Sequence, residues 1–264
     1  MSPVYLLEGG LSNAWIKDES VHPTGTHKDR SFRYWISYLW SRGIREAVIS
    51  SSGSAGRSAT YFCKIAEINL TVFTEETTKT PKKDAVAFAR EYRIINLRSS
   101  ADQNSIEGYK TIAFELAEQH PDAEELFIPV SSGAALLGIH KGYSVLFKEK
   151  GISMPRLYIV QTTKVHTMAS MFDTDYVKED KHDARAIVDN IGYLRDKVVR
   201  AVEESKGGGY VISNSELQES ISTHTSKLDK THGNESFLTL AALKKHRERN
   251  PQYANAKSVC LFTN

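Results

Sequence analysis

Lys28 lies near the end of KDESVHPTGTHKDR, residues 17–30, a stretch suited to presenting an amine to a carbonyl group. Pro23 and Gly25 predict a tight turn, and Lys28 falls where a helix should start. An ammonium there faces the positive end of the helix, so its pKa is expected to fall. A lysine that is easily deprotonated suits Schiff-base chemistry. Alone, a first-turn lysine is an ordinary solvated residue, and its meaning depends on two further loops. In SSSGSAGRSATYF, residues 50–62, a strand gives way to small residues and then to a helix expected to open at Ala55 or Gly56. Ser51, Ser52, Gly53, Ser54 and Ala55 let backbone N–H groups and hydroxyls approach an anion such as an amino-acid carboxylate. In PVSSGAALLGIHKG, residues 129–142, the amides of Ser131, Ser132, Gly133, Ala134 and Ala135 are placed to form a phosphate nest.

Neither GxxxxGK[ST] nor GxGxxG occurs, which argues against a nucleoside triphosphate and a dinucleotide. A phosphate loop, an anion loop and a reactive lysine are what a phosphorylated aldehyde cofactor handling amino acids needs.

The elements that must position these loops follow from hydrophobic periodicity. AVIS (47–50), LTVFT (70–74), RIINL (93–97), ELFIPV (125–130), RLYIVQ (156–161), YVIS (210–213) and SVCLFT (258–263) predict strands. Helical stripes between them run from Asp29 to Trp40, Ala85 to Tyr92 and Ile106 to Glu118, with Gly43 as the stop of the first. This alternation predicts α/β architecture with parallel, helix-covered sheets. The glycines 207–209 are expected to join a helix ending near Lys206 to a strand starting at Tyr210, and residues 162–186 to form a long surface loop or lid.

With 264 residues and 40% hydrophobic content, the chain can fill one large domain or two lobes sharing a cleft. A formal charge of +2, with no basic run interleaved with aromatics, gives no sign of a nucleic-acid partner. The first residues lack a signal-peptide pattern and no long apolar run follows, so a soluble, cytoplasmic protein without a membrane partner is expected. Cys63 and Cys260, each in an apolar stretch, read as core residues. The nine histidines show no metal-ligand spacing, and no metal is expected. His22, His120, His166 and His232 are assigned to loops or the surface.

These segments resemble those of the fold type II pyridoxal-phosphate enzymes, the group of threonine synthase, cysteine and cysteate synthases, serine/threonine dehydratases and the tryptophan synthase β chain. KDE…PTGTHKDR is similar to the family's lysine motif, SSGSAG to its carboxylate loop and PVSSGAALLGIHKG to its phosphate loop. NSIEGYKTIAFELAEQ, residues 104–119, looks most like threonine synthase, with cysteate synthase close behind. GGYVISNSELQES, THGNESFLTLAAL and SVCLFTN follow in the family's order.

The resemblance implies two three-layer αβα lobes with mostly parallel sheets and the cofactor cleft between them. It implies a large domain from residues 1–34 and 121–264, and a small domain from 35–120 inserted in it. Pyridoxal 5'-phosphate is the implied cofactor, Lys28 its Schiff-base lysine and general base, and Thr263 the hydroxyl facing its ring nitrogen. A neutral hydroxyl there makes the ring a weaker electron sink, suited to elimination or replacement at the β or γ carbon. A homodimer acting on a small amino-acid substrate is also implied.

Two departures are specific. Ser54 stands where the family has an asparagine bonded to the cofactor's phenolic oxygen, and the phosphate loop is glycine-poor. Three outcomes stay open: a threonine-synthase-like lyase, a β-replacing or β-eliminating enzyme, and a catalytically weak cofactor-binding relative. Lys110, Thr111 and Arg57 are candidate clamps for a substrate phosphate.

Overall fold

The computed structural model describes residues 1–51, 53–97 and 103–263. The chain opens with β1 (Val4–Leu6), β2 (Ala14–Asp18) and α1 (Lys28–Ser41). There follow β3 (Glu46–Ser50), α2 (Ser54–Ile65), β4 (Asn69–Phe73), α3 (Pro81–Tyr92) and β5 (Ile95–Asn96). Next come α4 (Asn104–Glu107), α5 (Lys110–Gln119), β6 (Glu125–Pro129), α6 (Ala134–Lys150) and β7 (Arg156–Thr162). The last elements are α7 (Arg195–Glu204), β8 (Gly208–Ile212), α8 (Asn214–His224), α9 (Asn234–Arg249) and β9 (Ser258–Phe262).

The strands form a six-stranded sheet, β1-β2-β9-β6-β7-β8, and a three-stranded sheet, β4-β3-β5. Every pairing is parallel except β1 with β2.

Period-two alternation explains the layers of the large lobe. Leu126, Ile128, Leu157, Ile159, Val211, Val259 and Leu261 face one way and pack with residues of α5, α6 and α7. Phe127, Tyr158, Val160, Tyr210, Ile212, Cys260 and Phe262 face the other way and pack with residues of α8 and α9. A strand buried on both faces must be apolar at nearly every position, as these are. In the smaller lobe, Phe32, Trp35, Ile36 and Leu39 of α1 and Ala59 and Cys63 of α2 cover Ala47 and Ile49 of β3. α3 lies against β3 and β4. The α/β class with two three-layer lobes is therefore observed.

Several elements differ from the sequence expectation. β1 and β2 are too short and too mixed to be read as strands, yet β2 pairs with the buried β9 over its whole length. The stripe expected from Ile106 to Glu118 is two helices broken at Gly108 and Tyr109. A Cβ on Gly108 would come within 2.1 Å of the Arg30 carbonyl oxygen, so the break allows backbone to touch backbone.

Gly208 and Gly209 belong to β8, not to a linker, and a Cβ on Gly209 would sit tightly, 3.2–3.3 Å from Ala169 and Phe172. Residues 162–186, expected as a surface loop or lid, are exposed only in part: Val177 is open to solvent, but Thr163, Val165, Met168, Ala169, Asp173, His182 and Ala184 are buried. Buried acceptors hold the segment down. Gln161 Oε1 accepts the amides of Met168 and Ala169, and Asp173 Oδ2 accepts that of Val211.

Cys63 and Cys260 are free, buried core residues. His232, assigned to a loop or the surface, lies in a loop but is buried, with its ring edge-on to Phe262. Among the described residues no helix is long and apolar enough to cross a membrane, and no cluster suited to a metal ion is present.

Candidate active site

The loops that carry the sequence signals all leave the C-terminal ends of parallel strands, where open α/β sheets collect ligand contacts. One cavity is lined by Lys28, Ser54, Ser131, Ser132, Gly133, Ala134, Ala135 and Thr263, together with His27, Glu235, Ala186 and Ile187. Residues from six separate parts of the chain thus meet at one place.

Most charges of the lysine motif are spent on building this place. Arg30 donates to Glu19 Oε2 at 2.5 Å, to both oxygens of Glu115 at 2.7–2.8 Å, to Ser2 and to Thr111. Lys17, wholly buried, donates to Glu115, Gln119 and the Ser2 carbonyl at 2.6–2.8 Å. Burial opposes the charge of Glu115, but Arg30 and Lys17 prevail and hold its pKa down to about 2. Burial opposes Glu19 likewise, and His22 and Arg30 drive it well below the usual carboxylate range. Asp29 accepts from the Thr24 amide and hydroxyl, closing the His22–Gly25 turn in which the Gly25 amide meets the His22 carbonyl at 2.8 Å.

Lys28, the first residue of α1, is the exception. Among the described residues its Nζ has no hydrogen-bond or ion-pair partner, and burial lowers its pKa from 10.5 to about 8. The fall expected from the sequence is present, and desolvation by burial is a cause of it.

The phosphate-loop residues fit their expected geometry. Gly133 has φ +87°, and a Cβ there would lie 2.4 Å from Val198 Cγ2, so glycine is required. The amides of Ser131, Ser132 and Gly133 donate to no protein acceptor among the described residues. Those of Ala134 and Ala135 open the first turn of the long helix α6, which offers them no intrahelical acceptor. The result is a concave row of free donors suited to a phosphate. Ser131 Oγ also accepts the amide of Val188 at 3.1 Å.

In the carboxylate loop, Ser54 begins α2 and lines the cavity. Ser51 lines an adjoining hollow and turns its oxygen to the amides of Gly53 and Gly56. Gly53 and Ala55 line neither space. Ser52 lies outside the described residues. The proposed phosphate clamps are not in the cavity. Lys110 pairs with Glu107, Thr111 bonds Arg30 and the Gly108 carbonyl, and Arg57 is exposed on α2.

Sequence reasoning passed over His27 and Glu235, both in the cavity wall. His27 directly precedes the lysine, a signal that was present and unused. Glu235 begins no recognisable pattern, and its Oε1 accepts the amide of Ala186 at 2.7 Å, drawing residues 183–188 across the cavity.

Two αβα lobes, with an unpaired low-pKa lysine facing a row of free amides, define a class of α/β proteins built to hold a phosphorylated carbonyl compound. The family of pyridoxal-phosphate dependent enzymes matches residues 6–88 and 84–264, and this chain belongs to it. A threonine synthase of Bacillus sp. is 26% identical over 224 residues, covering 76% of this chain and 63% of that protein. One from Halalkalibacterium halodurans is 23% identical over 275 residues, 95% of this chain and 76% of that one. The chain therefore spans less than two thirds of the Bacillus relative. The processed form of threonine deaminase isoform 2 from Solanum lycopersicum superposes with a TM-score of 0.77. It covers 100% of this chain and 78% of that one at 15% identity, a likeness of fold. The fold is that of the fold type II enzymes, and pyridoxal phosphate is the cofactor of the family.

Proposed function

We propose that this chain is a threonine-synthase-like lyase that converts phosphohomoserine and water to threonine and phosphate. The observation that carries its chemistry is the unpaired Lys28 Nζ in a cavity walled by the free amides of residues 131–135. Likeness to the threonine synthases supports the choice of reaction.

In this reading the amides of Ser131, Ser132, Gly133, Ala134 and Ala135 hold the cofactor's phosphate, the Thr263 hydroxyl faces its ring nitrogen and Ser54 its phenolic oxygen. Pyridoxal phosphate, when bound, supplies an electron sink for charge developing at the substrate's α-carbon. The loop 51–55 would hold the substrate carboxylate, and of its described residues Ser54 lines the cavity and Ser51 the hollow that also holds Thr74 and Lys82. Lys28 takes the α-proton on Nζ, and a pKa near 8 suits a base that must be neutral in part near neutral pH. Ala186 and Ile187 flank the cavity, with the Ala186 amide held by Glu235 and the Val188 amide by Ser131.

A second reading, β-elimination or β-replacement on an uncharged amino acid, draws support from the cavity's charges. Among the described residues lining the Lys28 cavity the formally charged groups are Lys28 and Glu235, and the lysines that line a hollow with Ser51, Lys82 and Lys83, lie outside that cavity. Supplying the loaded protein with phosphohomoserine, and separately with serine and threonine, separates the two. Threonine and phosphate in equal amounts support the synthase. A 2-oxo acid from serine or threonine, with phosphohomoserine untouched, overturns it.

The division into 1–34 with 121–264 and an inserted 35–120 belongs to the same proposal. The packing of Ile106, Tyr109, Ile112, Ala113 and Leu116 in the large core favours an inserted unit that ends before α4, short of residue 120. The homodimer and the cytoplasmic location follow by likeness to the family, and light scattering checks the first.

A further inference from the structure

Thr263 and Lys28 approach the same cavity from opposite ends of the sequence, and one carbonyl oxygen joins them. Thr263 O accepts from the His27 amide at 3.2 Å, from His27 Nδ1 at 3.0 Å and from the Thr26 hydroxyl at 3.2 Å. The same Thr26 oxygen accepts the Lys28 amide at 3.3 Å. A carbonyl oxygen can only accept, so the proton of a neutral His27 ring sits on Nδ1. The ring is backed by Tyr109, fully buried, with centroids 5.6 Å apart. Phe262, immediately before Thr263, is fully buried at the end of β9. With β9 and Tyr109 both fixed, the His27 side chain has little freedom to make the contact differently.

We propose that His27 is a positioning residue, whose Nδ1–H holds the Thr263 peptide, and through it the Thr263 hydroxyl, in register with Lys28. The inference rests on the assignment of Lys28 and Thr263 to the cofactor made above. Its chemical sense is that the two groups bracketing the cofactor ring sit on different elements, α1 and the end of β9, and need a common reference. Burial, and then the neighbouring Lys28 charge, push the His27 pKa down to about 3. The imidazole is therefore neutral across the working pH range, and the contact does not switch.

Three variants separate a positioning hydrogen bond from mere filling of space. His27→Asn keeps an N–H donor near the Nδ1 position, His27→Gln moves the donor outward by one methylene, and His27→Phe keeps a ring against Tyr109 with no donor. The readouts are the rate of cofactor loss on dialysis and the pH midpoint of the near-visible cofactor band. His27→Phe and His27→Gln are expected to lose cofactor about threefold to tenfold faster, the worth of one hydrogen bond, with a displaced midpoint. His27→Asn is expected to return both toward wild type. Folded Phe and Gln variants with wild-type release and midpoint would overturn the proposal.

A measurement on the unmutated protein guards against variants that fail to fold. Nitrogen-15 spectra of the histidines at pH 7 should show His27 as the neutral Nδ1–H tautomer. An Nε2–H tautomer or an imidazolium at that position would overturn the proposal. If wild type gives no cofactor band at all, the cofactor assignment fails, and the tautomer still decides whether His27 makes its contact.

Discussion

Lys17 and Lys28 belong to the same motif and both are withdrawn from water, but the protein treats them in opposite ways. Lys17 Nζ has three acceptors within 2.8 Å, so all three ammonium protons are matched. Lys28 has none among the described residues. Burial pushes both pKa values down, but for Lys17 the Glu115 carboxylate works against that fall, whereas at Lys28 no carboxylate among the described residues does. A buried charge with partners fixes structure, and one without them is ready to lose its proton. Residues 17–30 are therefore two devices in one stretch. Lys17, Glu19, Asp29 and Arg30 make the frame, and Lys28 is what the frame presents.

Breaking each half should have a distinct signature. Lys28→Ala should lower turnover by about 10²- to 10⁴-fold, the contribution of a positioned general base, with stability at neutral pH not lowered, because burial already disfavours the Lys28 ammonium. Stability unchanged and turnover unchanged together would put the chemistry elsewhere. Arg30→Met should instead cost about 3–5 kcal/mol in denaturant unfolding, because Glu19 would be left buried with only His22 and the Ser2 hydroxyl beside it.

The pH dependence divides along the same line. Glu115 has its pKa lowered from 4.5 to about 2, so its stabilisation is complete above pH 4.5 and is lost as pH falls toward 2. Lys28 has its pKa lowered from 10.5 to about 8. Between those values the unfolded chain binds the proton that the folded chain has released, so stability should rise with pH there. Unfolding followed at pH 2–5 and 8–10 checks both limbs, and Lys28→Ala should remove the alkaline rise alone. The smallest effect is expected from Ser131→Ala, which deletes the acceptor of the Val188 amide. Hydrogen exchange at Val188 should speed up by about fivefold, the worth of roughly 1 kcal/mol.

The lysine motif and the two anion loops could be singled out because their spacing and small-residue composition report local backbone geometry, whereas Thr263 was singled out only by the resemblance to the fold type II enzymes. The central strands were legible because both faces are buried, which writes a continuous apolar run. Other features depend on partners far away in the chain. β2 is a strand because β9 lies beside it, and Gly208 and Gly209 enter β8, where Gly209 packs tightly on Ala169 and Phe172. Residues 162–186 look polar, yet much of that segment is buried, since Asp173 and Gln161 spend their polar groups on backbone amides. The clamp candidates Lys110 and Thr111 failed for the same reason: in the fold their polar groups already have partners. His27 and Glu235 escaped notice because a single histidine or glutamate has no spacing to read.

Borohydride reduction of the protein after addition of pyridoxal phosphate, followed by peptide mapping, tests the contrast between the two lysines most directly. The account predicts a near-visible absorption band that reduction abolishes, with the pyridoxyl group on Lys28 and none on Lys17. No band with added cofactor, or a label on any lysine other than Lys28, would contradict it.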